Sequence, residues 1–207
     1  MRFTVAALAG CLLSAAIPVQ SMGAVVIVAQ EVNGNVTFTG SGTLNLDDLP
    51  AYRDVLLYSA LVPVHDGYHP VISIGGSTTS AIRADAYGGA FHGPSSFGTG
   101  PVSFPHIVSG DRFGTGNNNS AREVYVPVGY TSGEMLSGSS TYVSQTFSSL
   151  GITPGTYVWS WGVGADADSL TLMIVPEPLA AMLLISAGAL LIVRRGHRAL
   201  PTRLGGG

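Results

Sequence analysis

In the stretch TYVWSWG, residues 156–162, the rings of Tyr157, Trp159 and Trp161 occupy alternate positions. A β-strand sets alternate side chains on one face, so all three share a side. The simpler consequence is a buried aromatic face, because aromatic side chains dominate core energetics. The sharper one is a row of exposed rings stacked on sugar faces, which makes the trio a candidate carbohydrate platform.

Other residues suggest different chemistry. HDGYH, residues 65–69, offers His65, Asp66 and His69 as candidate metal ligands. Gly67 and Pro70 put them on a loop, where imidazole spacing is not fixed as it is at i and i+4 of a helix. Asp166 and Asp168, in GVGADAD, read as turn residues joining the last two strands, with a share in holding calcium as the alternative. His92 and His106 stand singly beside Gly or Pro and read as solvated loop positions. A polysaccharide hydrolase would draw its paired acids from Asp47, Asp48, Asp54, Asp66, Asp85 and similar positions, and spacing selects no pair. No G-x-S-x-G nucleophile elbow occurs. GDRFGTGNNNS, from Gly110 to Ser120, lacks the carboxylate spacing of a calcium loop and reads as a mobile loop. No catalytic residue is assigned, and the chain is expected not to be an enzyme.

The elements that must position these residues are strands. VVIVAQEVNGNVTFTGSGTLNL holds two β-type runs separated by Asn33-Gly34, a hairpin signal because both residues tolerate the positive φ of a type I′ turn. Further strands are expected at Val55 to Val64, Val71 to Ile74, Val102 to Val108, Arg122 to Val128, Thr141 to Phe147, Thr156 to Gly162 and Ser169 to Val175. Gly and Pro punctuate nearly every interval, and only Leu49 to Leu57 could form a short helix. The expected fold is all-β, a single sandwich or jelly-roll-like domain over residues 25–174, flanked by an N-terminal signal peptide and a C-terminal transmembrane helix.

Both flanks carry their own signals. Residues 1–24, MRFTVAALAGCLLSAAIPVQSMGA, place Arg2 before an apolar run from Phe3 to Ile17 and small residues at Ser21, Gly23 and Ala24. That is the pattern of a secretory signal peptide, cut by signal peptidase after Gly23 or Ala24. Leu8-Ala9-Gly10-Cys11 fits a lipobox, the competing reading, but the apolar run continues past Cys11. Cleavage near Val25 removes the single cysteine and leaves no disulfide or thiolate. The mature domain then sets four arginines and no lysine against eleven acidic residues, a net of −7. Phosphate-mediated binding of nucleic acid does not suit that balance.

At the other end, Leu179 to Val193 carries no charge and is followed by Arg194, Arg195, Arg198 and Arg203. At about 1.5 Å per residue the run approaches the ~30 Å hydrocarbon core once Val175 to Pro178 and the arginine stems are added. The arginines act as a stop-transfer signal that keeps residues 199–207 cytoplasmic and the domain outside. The order Val175-Pro176-Glu177-Pro178, apolar helix, basic cluster, over residues 175–198, resembles a PEP-CTERM sorting signal. That resemblance implies an exosortase as processing partner, transient inner-membrane anchoring, and delivery to the exopolysaccharide or biofilm matrix of a Gram-negative cell. The prolines suit this, since they fix φ on both flanks of Glu177 and keep the site extended. SGTLNL (Ser41 to Leu46) and YVWSWGVGADADSLTL (Tyr157 to Leu172) are similar to segments of a recurrent group of PEP-CTERM-anchored proteins with no assigned activity.

Two classes of function remain from sequence. One is a non-enzymatic exported surface or matrix protein, which the sorting signal favours. The other is a carbohydrate-binding module or polysaccharide hydrolase of the same matrix.

Overall fold

A computed structural model of the protein describes residues 24–64, 69–118 and 121–176. It is an all-β fold of two sheets. Strands β1 (Ala24–Val32) and β2 (Asn35–Thr43) form the expected hairpin, with Asn33 and Gly34 at φ 52° and 74°, both in the left-handed region that a type I′ turn requires. Their burial alternates strictly, with Val25, Ile27, Ala29, Val36 and Phe38 turned inward. The chain continues through β3 (Ala51–Leu57), β4 (Ala60–Val62), β5 (Val71–Ile74), β6 (Ile82–Gly88), β7 (Phe91–His92), β8 (Ile107–Gly110), β9 (Phe113–Asn118), β10 (Ala121–Val126) and β11 (Met135–Tyr142). The one-turn helix α1 (Phe147–Leu150), β12 (Gly155–Trp161), a 3₁₀ turn at Gly164–Asp166 and β13 (Asp168–Val175) complete it.

One sheet has the order β7-β12-β13-β1-β2-β11-β8 and the other β3-β6-β10-β9-β5-β4. All neighbours are antiparallel except β1 and β13, which run parallel from Ala24↔Ser169 to Gln30↔Val175. Inward residues of both sheets, among them Ile27, Phe38, Leu170 and Leu172 from the first and Ile72, Ile74, Phe113 and Val124 from the second, pack into one shared core. Gly75 sits where the sheets come together at one end. Its N–H lies 3.2 Å from Ser140 Oγ, and a Cβ there would overlap the Asp111 carbonyl, so a glycine at φ 68° is required.

Several expectations are corrected. Leu49 to Leu57 is not helical: Ala51–Leu57 is strand β3, paired along its length with β6. Gly110 to Ser120 is not a loop, because Phe113–Asn118 forms β9 between β5 and β10. Within Val55 to Val64 the chain leaves β3 at Leu57 and resumes as β4. Val102 to Val108 contributes only an isolated bridge at Ser103 and the start of β8. Thr141 to Phe147 is the end of β11 followed by the start of α1, whose turn closes because Thr146 and Ser149 cap each other and Gly151 adopts φ 63°. Strands β6 and β7 were not foreseen. Among the described residues no helix is long and apolar enough to cross a membrane, and the predicted span 179–193 lies outside them.

Candidate functional site

The aromatic trio belongs to the interior. Trp159 and Trp161 are 1% and 2% exposed, facing Leu170 and Asp168 across β12 and β13. Trp159 meets Phe97 edge-on at 6.3 Å, and Trp161 stacks on Phe91 at 4.9 Å. Tyr157, at the margin, packs on the same core and donates its hydroxyl to the Thr153 carbonyl at 3.0 Å. A platform of three exposed rings is therefore not what these residues form, because the strand turns that face toward the opposite sheet.

Asp168 is likewise interior. Its Oδ2 accepts the Asn45 N–H at 2.5 Å and its Oδ1 the Ser169 N–H at 2.6 Å, while burial pushes its pKa above the usual 3.8. It opens β13 rather than sitting in the turn, and both of its oxygens face backbone donors. Asp166 ends the 3₁₀ turn. His65 and Asp66 lie outside the described residues, and the His69 carbonyl accepts from Asn117 Nδ2 at 2.7 Å. His92 pairs with Ser160 in β7, and His106 Nδ1 accepts the Val143 N–H at 3.1 Å. Among the described residues no group of three His, Cys, Asp or Glu side chains converges.

Of the acids named for hydrolysis, Asp47, Asp48, Asp54 and Asp85 are described, and each has a partner within the fold. Asp47 takes the Ser132 hydroxyl at 2.9 Å and Asp48 the Val163 N–H at 3.0 Å. Asp54 and Asp85 face each other across β3 and β6. Asp54 is paired with Arg83, and buried Asp85 accepts from Tyr52 Oη at 3.1 Å and Gly129 N–H at 2.8 Å. The Asp85 bond is the largest cause of the raised Tyr52 pKa.

The outer face of the second sheet carries a smaller apolar cluster, Val55, Ala84, Ala86 and Tyr125. Tyr125 lies over Gly116, where a Cβ would strike its ring, and burial pushes its pKa up to about 12. Beside it, Arg53 binds buried Glu123 through Nη2 at 2.7 Å and Nε at 3.3 Å. Arg112, also buried, donates to the Leu57 carbonyl at 2.7 Å and to the Tyr58 carbonyl, and burial lowers its pKa.

Where that guanidinium holds the end of β3, a pocket of about 280 Å³ opens, lined by Tyr58, Ser59, Ser77, Thr78, Phe104 and Pro105. Tyr58 and Phe104 are 53% and 58% exposed and meet edge-on, centroids 6.3 Å apart at 79°. Three segments build it: the β3–β4 connection, the β5–β6 loop and the approach to β8. Each is pinned. Leu61 and Ser103 exchange two backbone bonds of 2.9 Å, Ser59 Oγ donates to the Gly75 carbonyl, and the Gly76 N–H reaches the Gly110 carbonyl at 3.2 Å. None of these lining residues was singled out from sequence, since Tyr58 and Phe104 lie 46 positions apart and share no strand.

Of the sorting motif, Val175 is the last residue of β13, paired with Gln30, and Pro176 follows it, exposed. Glu177, Pro178, Arg194, Arg195 and Arg198 lie outside the described residues. The segments Ser41 to Leu46 and Tyr157 to Leu172 meet in space, since Asn45 of the first is held by Trp161 and Asp168 of the second. No family model matches the chain, and no curated protein or solved structure matches it either.

Proposed function

We propose that this chain is a non-enzymatic exported surface or extracellular-matrix protein, a β-sandwich domain sorted by an exosortase-type system and associated with exopolysaccharide. The signal peptide directs export, residues 179–193 with their arginines hold the chain transiently in the inner membrane, and cleavage near Val175 to Pro178 releases it. The observation that carries this reading is the order of VPEP, apolar run and arginine cluster in the sequence, with the motif starting at the last residue of β13. Support also comes from β13, whose pairing with β1 runs to Val175, the first residue of the motif, with Pro176 exposed beside it. The hydrolase alternative is weaker, because Asp47, Asp48 and Asp85 accept hydrogen bonds from the protein's own donors. The carbohydrate-binding alternative is favoured by the Tyr58–Phe104 pocket.

The test is the C-terminus of the protein recovered from a host with an exosortase. Mass spectrometry should place it near Pro176 to Pro178, whereas Glu177→Ala combined with Pro178→Ala should keep the full chain in the inner membrane with its topology unchanged. Wild-type protein found in the matrix with residues 179–207 intact would rule out processing.

A further inference from the structure

We infer that the pocket between Tyr58 and Phe104 is a carbohydrate subsite that takes one or two neutral pyranose rings of the surrounding polysaccharide. The inference rests on the matrix reading above and names the contact through which the domain would hold its matrix.

The occupant follows from the lining. A pyranose has an apolar C–H face and a rim of hydroxyls. The pocket is chiefly apolar, with two exposed rings and Pro105, and Ser77 and Thr78 stand at its margin. Ser77 Oγ already accepts the Thr79 and Ser80 N–H groups, both at 3.3 Å, which fixes the loop that carries it. Among the described residues no Asp, Glu, Lys or Arg side chain lines the cavity, which gives a phosphate or a metal ion no counter-charge from them. At about 280 Å³ the space sits near the lower end, roughly 300 Å³, of small-ligand pockets. A site already ordered by backbone bonds loses little entropy when a ligand arrives. The exposed rings also differ in kind from Trp159 and Trp161: they stand half in water on pinned loops, where burying them needs a partner.

Full-length protein in a sugar-free zwitterionic detergent is titrated calorimetrically with cellohexaose, laminarihexaose, chitohexaose and a hydrolysate of the host exopolysaccharide. At least one should bind. Tyr58→Ala and Phe104→Ala should each weaken it by about tenfold or more, the loss expected on truncating an aromatic anchor. Thr78→Val should weaken it a few-fold. Both aromatic variants should keep the wild-type melting temperature, because the rings are exposed. Binding that survives either alanine variant, no binding by any of the sugars, or binding of a polyproline peptide in their place would overturn the inference. The sorting reading is read out separately. Tyr58→Ala should be processed like wild type, and the Glu177→Ala, Pro178→Ala double variant should bind sugar like wild type.

Discussion

Trp161 and Asp168 face each other across β12 and β13 and grip the same residue from two sides. The indole N–H of Trp161 donates to the Asn45 carbonyl at 2.7 Å, and Asp168 accepts the Asn45 N–H. The connection leaving β2 is thereby fastened to the last pair of strands, with Leu44 alongside held by Tyr130 Oη at 2.8 Å.

Breaking either grip should destabilise the fold without touching the pocket. Trp161→Phe leaves the Asn45 carbonyl without its donor, and Asp168→Asn replaces one accepting oxygen with an amide that cannot accept. Each should cost about 1–3 kcal/mol, the penalty for stranding a buried polar group. The double variant should cost less than the sum, because both act on one residue. Urea unfolding measures all three, and single costs below about 0.5 kcal/mol would mean the clamp does nothing for stability.

The Arg53–Glu123 pair should behave asymmetrically. Glu123 is buried, whereas Arg53 is partly open to solvent. Removing the cation leaves the buried carboxylate without its partner, but solvent reaches Arg53 and screens the pair, so Arg53→Ala should cost about 1 kcal/mol. Adding Glu123→Gln to that background should recover part of the loss, since the charge left unpaired is then gone. A double variant less stable than Arg53→Ala alone would contradict the assignment.

Alkaline pH should loosen the outer face. Tyr125 titrates at 10.0 when unfolded and at about 12 when folded, so between those values the unfolded chain sheds a proton that the folded chain keeps. Stability held in full below pH 10 is therefore lost as pH rises toward 12, by about 1.4 kcal/mol per unit over that window. Tyr125→Phe should flatten this part of the pH profile, with little change at pH 7 because only a 3.3 Å bond to the Asn117 carbonyl is lost. Parallel profiles for the two proteins above pH 10 would sink the prediction.

What could be read in the sequence follows from which forces are local. The β1–β2 turn was legible because Asn-Gly fixes its own backbone, and Val71–Ile74 because its composition alone is β-type. β3 was misread because Tyr52, Asp54 and Leu56 on one side, and Arg53, Val55 and Leu57 on the other, give no apolar alternation on an edge strand. β9 was missed for a different reason. Its Gly114 and Gly116 look like loop residues, yet they are what lets the neighbouring backbone and the Tyr125 ring approach. β6 hides its pattern too, because Ala84 and Ala86 are covered by Tyr125 and its neighbours rather than by a second sheet.

The candidate pocket was illegible for a deeper reason. Its rings come from connections that pairing between distant strands brings together, and exposure of an aromatic side chain leaves no mark on the sequence around it.

The parallel seam between β1 and β13 also sets an order of events. The first strand has β2 as its immediate neighbour in sequence, but its other edge waits for residues 168–175, the last of the described strands to be synthesised. Until they arrive, a row of unsatisfied amides and carbonyls in the middle of the larger sheet stays open to any passing chain. A polypeptide cut short before Asp168 would therefore carry a permanently sticky edge and go to aggregation or proteolysis. Completion of the larger sheet thus depends on the far end of the domain, and only a chain that reaches β13 closes it.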